Sequence, residues 1–329
     1  MLMQIFWRPD VVLLIEPTFF CSPQTLCVAR LSGAVAWLHV QDFEVDVAFE
    51  LQDLSSRKLH QAVRMLEHFL LGRFNRASAI SGRMVERLSS KGVDTLKTFL
   101  FPNWVDTSEI YPLITPSPMR RELGISEEAI VALYSGNMGL KQGLHLLIEA
   151  SRRLVHRSDI TFVLCGEGPH RNALVEMAAK ARNISFLPLQ PTGRLNELLN
   201  MADIHLIPQV AGAADLVMPS KLTGIMASGK AVLATAHEGT QLAKVLAGRG
   251  VCTRPGDVTA FTAAVARLAD DRELRLQLGR EARKYALTHL NRDDILTRFE
   301  LSLMEACGRS VTGAQIKITA SENTKLPVA

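Results

Sequence analysis

The 329-residue chain is short of the features that assign a sequence to a special class. No apolar run approaches the roughly 18 residues needed to cross a bilayer, so no spanning helix is expected. Its five cysteines, Cys21, Cys27, Cys165, Cys252 and Cys307, are scattered and odd in number, and none forms a C-x-x-C pair. Neither a disulfide framework nor a zinc site is indicated, and a reducing compartment is favoured. Cys165, inside an apolar run, reads as a small buried hydrophobe. The familiar catalytic signatures are missing too. Without G-x-x-x-x-G-K-[ST], G-x-S-x-G or H-E-x-x-H, the sequence gives no support to P-loop hydrolysis, serine esterase chemistry or zincin chemistry. No nucleic-acid motif or aromatic platform accompanies the mild net charge of +4, so no nucleic-acid partner is expected.

What is present is an alternation of short apolar runs, turns and amphipathic stretches. The length exceeds what one core usually supports, which implies two domains. The first residues carry Arg8, Asp10 and Glu16 within an apolar run, the wrong composition for a signal peptide. They resemble the interior of a fold and raise the expectation of sequence upstream. Residues 10–15 read as a strand buried on both faces. A helix over 23–31, ended by Gly33, leads to a second buried strand over 34–40. That strand delivers HVQDFEVD at its C-terminal end, where open α/β sheets bind ligands. A helix is expected over 47–76, with Leu59, Val63, Leu66, Leu70 and Phe74 at helical spacing. Arg64, Arg73 and Arg76 on it would face either lipid phosphate or plain solvent. His60 and His68 lack a third ligand in register and read as helix-surface histidines. Strands over 77–81 and 96–101 flank a helix over 83–91. After FPNWVD, Pro112, Pro116 and Pro118 suggest an interdomain linker.

The second half repeats strand, glycine turn and helix: strands over 130–134, 160–164, 184–187, 204–207 and 231–234, with helices between the first four. Three further helices over 258–268, 272–287 and 293–306 close the fold. Such repeats imply a parallel sheet with helices on both faces. Three of its turns lie at strand C-termini and should converge on one crevice. Gly136 in SGNMGLKQG leaves backbone room for a phosphate, with Lys141 five residues on as a point charge; a solvent lysine beside a structural turn is the alternative. Gly166 and Gly168 in CGEGPHR miss the third glycine of a dinucleotide fingerprint, which would fall on Arg171, so hydride transfer is weakly supported. In the stretch 213–235, Pro219 can occupy a first helical position. The amides of Ser220, Lys221 and Leu222 would then point out of a positive helix end toward an anion, helped by the Lys221 charge. Asp215 just before it either accepts sugar hydroxyls or lies in a polar loop. In the first half, His39 and Asp42 end the second strand; His39 is either a core histidine with a backbone partner or a catalytic group.

In this order the pieces resemble a retaining glycosyltransferase of the GT-B type, family four. The residues that carry the resemblance are Pro102-Asn103-Trp104-Val105-Asp106, Gly136 with Lys141-Gln142-Gly143, Gly166-Glu167-Gly168-Pro169, Pro219-Ser220-Lys221-Leu222 and Met226-Ala227-Ser228-Gly229-Lys230. The words EPTFFCSP and WLHVQDFEVDVAF narrow it to the colanic-acid-type enzymes of bacterial exopolysaccharide and O-antigen clusters, usually assigned as fucosyltransferases. The resemblance implies an α/β fold of two Rossmann-like domains whose parallel sheets face a cleft. It implies transfer from a GDP- or UDP-sugar, used as substrate and without a cofactor or metal, to an undecaprenyl-diphosphate-linked oligosaccharide. The place would be the cytoplasm, with peripheral contact on the inner face of the inner membrane. The donor group would comprise Gly136, Asn137, Lys141, Gly166, Gly168, Leu189, Asp215, Pro219, Ser220, Lys221 and Leu222, with His39 and Asp42 at the reacting carbon.

The expected organisation is a partial acceptor-side domain over 1–106 and a donor domain over 107–290. A helix over 291–308 would pack back on the first domain, ahead of a disordered tail over 309–329. The sequence departs from the family where a ribose-binding glutamate would fall on Gly224, an arginine would fall near Asn137, and an opening strand and glycine-rich loop would precede residue 10. An inactive nucleotide-binding fragment of such an enzyme is therefore the rival expectation.

Overall fold

The computed structural model describes residues 6–16, 19–43, 57–210 and 218–309. The chain divides into two compact units, Met1–Asn103 with Arg292–Ala329, and Trp104–Asn291.

In the first unit β1 (Val11–Glu16), α1 (Ser22–Ser32), β2 (Val35–Val40), α2 (Arg57–Leu71), β3 (Arg76–Ala79), α3 (Gly82–Ser90) and β4 (Thr98–Leu100) alternate. The four strands are parallel, in the order β1-β2-β3-β4. Gly33 stops α1 in the left-handed conformation its φ of 74° requires, and its N–H bonds the Ala29 carbonyl. The expected helix over 47–76 is shorter at its end: α2 stops at Leu71, and Asn75 N–H already bonds the Ala36 carbonyl in the sheet. Gly72 allows this turn, because a Cβ there would lie 3.1 Å from the Gly92 carbonyl oxygen. The beginning of that expected helix, 47–56, lies outside the described residues. Leu96 and Lys97 belong to a short 3-10 turn instead of the strand expected over 96–101.

The second unit opens with a segment read from the sequence as linker, yet it holds α4 (Pro118–Glu122), capped by the Ser117 hydroxyl on Met119 N–H. There follow β5 (Ile130–Ser135), α5 (His145–Arg153), β6 (Ile160–Cys165), α6 (Arg171–Ala178), β7 (Ile184–Leu187), α7 (Leu195–Met201), β8 (Ile204–Ile207), α8 (Lys221–Ala227), β9 (Ala231–Thr235), α9 (Gln241–Leu246), β10 (Val251–Thr253), α10 (Val258–Asp270) and α11 (Arg272–His289). The strand order is β10-β9-β8-β5-β6-β7, all parallel. Counted within this unit it reads 6-5-4-1-2-3, the common order of dinucleotide-type sheets. The uninterrupted apolar strands follow from burial on both faces. Ala132, Tyr134, Phe162 and Leu164 face one core, and Val131, Leu133, Val163 and Cys165 the other.

The last helix, α12 (Arg292–Ala306), belongs to the first unit. Its Phe299 ring stacks on Phe101 at 4.0 Å between centroids and meets Trp37 edge-on at 5.2 Å. Such aromatic pairs add about 0.5–1.5 kcal/mol each beyond the area they bury. The 310–329 tail is outside the described residues.

Candidate functional site

In an open parallel sheet the ligand crevice lies at the carboxyl ends of the two strands whose connections run to opposite sides. In the second unit those strands are β5 and β8, neighbours in the sheet but first and fourth in the chain. Ser135 leads from β5 into Gly136-Asn137-Met138-Gly139, and Ile207 leads from β8 toward α8. The switch point thus brings together Gly136 and Lys221, which are far apart in sequence.

Their contact is close. A Cβ added to Gly136, whose φ is 139°, would lie 2.6 Å from Lys221 Nζ. The ammonium sits 4.0 Å from the centroid of the Tyr134 ring, where the negative face of the π system attracts it. Burial pushes the Lys221 pKa down from 10.5 to about 8. Burial also raises the pKa of the Tyr134 hydroxyl, which donates to the Asn137 carbonyl at 2.5 Å and so braces the glycine turn. Tyr134 is a site residue that the sequence reading missed. Its only signal there was a polar-tipped aromatic at the end of an otherwise aliphatic strand.

The start of α8 corrects one expectation. Regular helix begins at Lys221, after Ser220, two residues later than a helix opened by Pro219. The Leu222 N–H bonds the Pro219 carbonyl at 3.0 Å, so that amide is occupied. The Ser220 and Lys221 amides have no acceptor among the described residues. Asp215 lies outside the described residues, as do its neighbours over 211–217. At Gly224 a Cβ would meet Leu199 Cδ1 at 3.3 Å, so the helix runs close beside α7 there.

Gly166 and Gly168 have a structural cause for being glycine. Their φ angles are 144° and 154°, and a Cβ on Gly166 would lie 2.0 Å from the Gly136 carbonyl oxygen. On Gly168 it would lie 2.6 Å from both Asn137 Oδ1 and the Met138 carbonyl oxygen. The two turns are laced together: Gly136 N–H bonds the Cys165 carbonyl, Met138 N–H the Glu167 carbonyl, and His170 N–H the Met138 carbonyl. The Gly166 turn therefore supports the Gly136 turn from behind. Cys165 is buried, with its thiol donating to the Pro188 carbonyl at 3.2 Å. Leu189, just past the end of β7, is exposed.

Lys141 lies in a 3-10 turn after β5 with its side chain exposed. Its carbonyl accepts from Val210 N–H at 3.2 Å, which ties the β5 loop to the chain leaving β8. Thr235 at the end of β9 holds Gln209 from the other side, its hydroxyl accepting from Gln209 N–H and donating to the Gln209 carbonyl. Lys141 thus stands on the loop that leaves β5, and Lys221 opens α8 beyond the loop that leaves β8. An arrangement of two ammonium groups, open amides and a side-chain-free glycine turn suits a multiply charged anion.

In the first unit, His39 is 3% exposed. Its Nδ1 lies 3.0 Å from Ser78 Oγ, which also accepts from Trp37 Nε1, and its ring rests against Phe101. Burial pushes its pKa down to about 4, so the ring is neutral near pH 7. His39 is thus a buried histidine, and its partner is a hydroxyl instead of the backbone. Asp42, two residues past β2, is half-buried. Among the described residues no cluster of His, Cys, Asp and Glu is arranged to hold a metal ion. His68 instead lies against Gly92, where a Cβ would come 2.6 Å from its ring.

Comparison with known proteins places these features in a family. Residues 117–285 match the family described as "Glycosyl transferases group 1". A protein named as a colanic acid biosynthesis glycosyl transferase, WcaI of Escherichia coli (strain K12), is 35% identical over 304 residues, 89% of this chain and 73% of that protein. WbjE of Pseudomonas aeruginosa, named as a glycosyltransferase, is 26% identical over 64% of this chain and 53% of its own length. Among solved structures, a sucrose-phosphate synthase from Thermosynechococcus elongatus superposes with a TM-score of 0.76 at 16% identity, covering 92% of this chain and 74% of that one. Anabaena HepE, solved with UDP and glucose, gives 0.75 at 15% identity over 92% and 80%.

Proposed function

Because the chain belongs to the group 1 glycosyl transferases and has their GT-B fold, we propose that it moves a sugar, fucose or a related one, from a GDP or UDP donor to a lipid-linked oligosaccharide. The product would be an exopolysaccharide of the colanic-acid kind, made on the inner face of the inner membrane by a retaining, metal-independent enzyme of family four. The likeness to WcaI supports the pathway, and the UDP and glucose bound to HepE support the donor class.

The observation that carries this reading is the Lys221 ammonium lodged against Gly136 at the sheet's switch point. In the reaction the bond from the anomeric carbon to the diphosphate oxygen breaks, a bond to an acceptor hydroxyl oxygen forms on the same face, and the hydroxyl proton passes to the departing diphosphate. Negative charge grows on the departing diphosphate. Lys221, Lys141 and the Ser220 and Lys221 amides are assigned to that charge, a fixed set of donors doing what a metal would otherwise do. The Gly136–Asn137 turn lies along the diphosphate, with the Gly166–Gly168 turn behind it. Pro219 and Leu222 frame the helix start, Asp215 takes sugar hydroxyls, and Leu189 offers an apolar contact to the base. Asp42 is assigned to the acceptor side.

Titration of the full chain with GDP- and UDP-sugars tests the donor site. One of the two series binds, and Lys141→Ala weakens it by about 1.5–3 kcal/mol, the range for a hydrogen bond to a charged group. Unchanged affinity in that variant would remove Lys141 from the site.

A further inference from the structure

The turn after β5 has little of its own backbone left for a ligand. Its Gly136, Met138 and Gly139 amides are taken by the Cys165 carbonyl, the Glu167 carbonyl and, at 3.1 Å, Gln142 Oε1. Of the amides over 136–139, that of Asn137 has no acceptor among the described residues. An anion at the switch point would thus meet single donors on separate elements: the Asn137 amide from the β5 side, and the Lys221 ammonium with the Ser220 and Lys221 amides from the start of α8. Donors on two elements serve one ligand only when something holds both in a fixed geometry.

Tyr134 is the side chain that touches both sides. It lies near the end of β5 and is fully buried. Its hydroxyl donates to the Asn137 carbonyl at 2.5 Å, and the Met138 N–H of the same peptide link donates to the Glu167 carbonyl at 2.8 Å. The peptide that follows the open Asn137 amide is therefore pinned at both its polar groups. The Lys221 ammonium stands 4.0 Å from the centroid of the same tyrosine ring. A lysine stem is flexible along its four carbons, and burial alone depresses the pKa of this one, with no charged group among the described residues acting on it. The ring is therefore what fixes the place of the ammonium. A residue that only filled the core would need no hydroxyl, since a phenyl ring buries the same apolar area.

We propose that Tyr134 is a positioning residue of the donor site, its ring holding the Lys221 ammonium beside Gly136 and its hydroxyl holding the turn that carries the Asn137 amide. It acts on the ligand through those two donors. This deepens the donor-site reading and rests on it for the ligand being a nucleotide diphosphate. The hold on Lys221 and Asn137 is argued from the contacts alone.

The experiment takes two readouts on the full chain, in the parent, Tyr134→Phe and Tyr134→Leu. One is affinity for GDP- and UDP-sugars by calorimetric titration. The other is the pH midpoint of the Lys221 amine, from trace acetylation read by peptide mass spectrometry. Phenylalanine keeps the ring face, so the Lys221 midpoint stays at the parent value of about 8, while affinity falls about two- to tenfold through the loosened turn. Leucine removes the face that favoured the charged amine, so the midpoint drops below that of the parent and affinity near pH 7 falls about tenfold or more. In the Lys221→Met background Tyr134→Leu costs no more affinity than Tyr134→Phe, because the ring has no ammonium left to hold. A leucine variant whose midpoint is unmoved or rises toward 10.5, or losses that simply add to that of Lys221→Met, would overturn the proposal. So would unchanged affinity in the phenylalanine variant, which keeps the core filled whatever leucine does to the fold. A parent that binds neither donor series, with a Lys221 midpoint that still drops in the leucine variant, overturns the donor-site reading and leaves the hold of Tyr134 on Lys221 standing.

Discussion

Lys221→Met separates what the lysine does for the fold from what it does for the ligand. Burial holds the ammonium at a pKa of about 8 against an ordinary 10.5. At 1.36 kcal/mol per tenfold, the charged form is about 3 kcal/mol less favourable in the fold than in the unfolded chain. The Tyr134 ring at 4.0 Å returns about 1–2 kcal/mol of this through its π face. Methionine is unbranched and apolar, and it can follow the lysine stem without the charge. The variant should therefore be about 1–2 kcal/mol more stable near pH 7. The pH dependence fixes the cause. With the folded pKa depressed, the unfolded chain binds more protons between pH 8 and 10.5, so the parent gains stability as pH rises through that window. The advantage of the methionine variant is largest below pH 8 and closes toward pH 10.5. Urea unfolding at several pH values reads this gap, and titration with the sugar nucleotide should show affinity lost at least tenfold. A variant less stable than the parent near neutral pH, or a gap that does not change with pH, would refute the argument that the site stores an unfavourable charge for its ligand.

Three further substitutions probe the supports of the two units, one of them as a control. Gly166→Ala would place a Cβ 2.0 Å from the Gly136 carbonyl oxygen at a φ of 144°. It should cost about 2 kcal/mol or more, whereas Gly239→Ala, at a φ of 83° with nothing within 4 Å of its Cβ, should cost about 1 kcal/mol for backbone strain alone. Comparing the urea midpoints of the two variants checks this, and equal midpoints would discard the turn-on-turn packing. Phe299→Ala removes a ring stacked on Phe101 and set against Trp37, at an expected cost of about 3–5 kcal/mol to the first unit. Emission from the buried Trp37 should shift to the red at lower urea, and an unshifted transition would mean that α12 does not brace this core.

The strands of the second unit were legible because burial on both faces writes them as unbroken β-branched and leucine runs such as Ile160–Cys165. The elements that escaped, Pro118–Glu122, Gln241–Leu246 and Val251–Thr253, are three to six residues long, too short for a period to repeat. Proline misled at 118, where the first turn of a helix has no use for its missing N–H and Ser117 supplies the cap. At the site, single residues were readable and pairs were not. Lys221 could be read as a cation near a helix start, and Gly136 as a turn glycine. Their contact exists only because strands β5 and β8 are neighbours despite lying three strands apart in the chain. The same distinction separates His39 from Lys221. Both lie at a strand end or helix start that suits a ligand, but Ser78 and Phe101, brought in by β3 and by the chain after β4, enclose the histidine. Around Lys221 the neighbours are a glycine without a side chain and the open face of a ring, so the charge is partly desolvated and left without a counter-charge among the described residues. A cation in that state gains more from an arriving diphosphate than one already solvated or paired, and this is the physical ground for centring the site on Lys221.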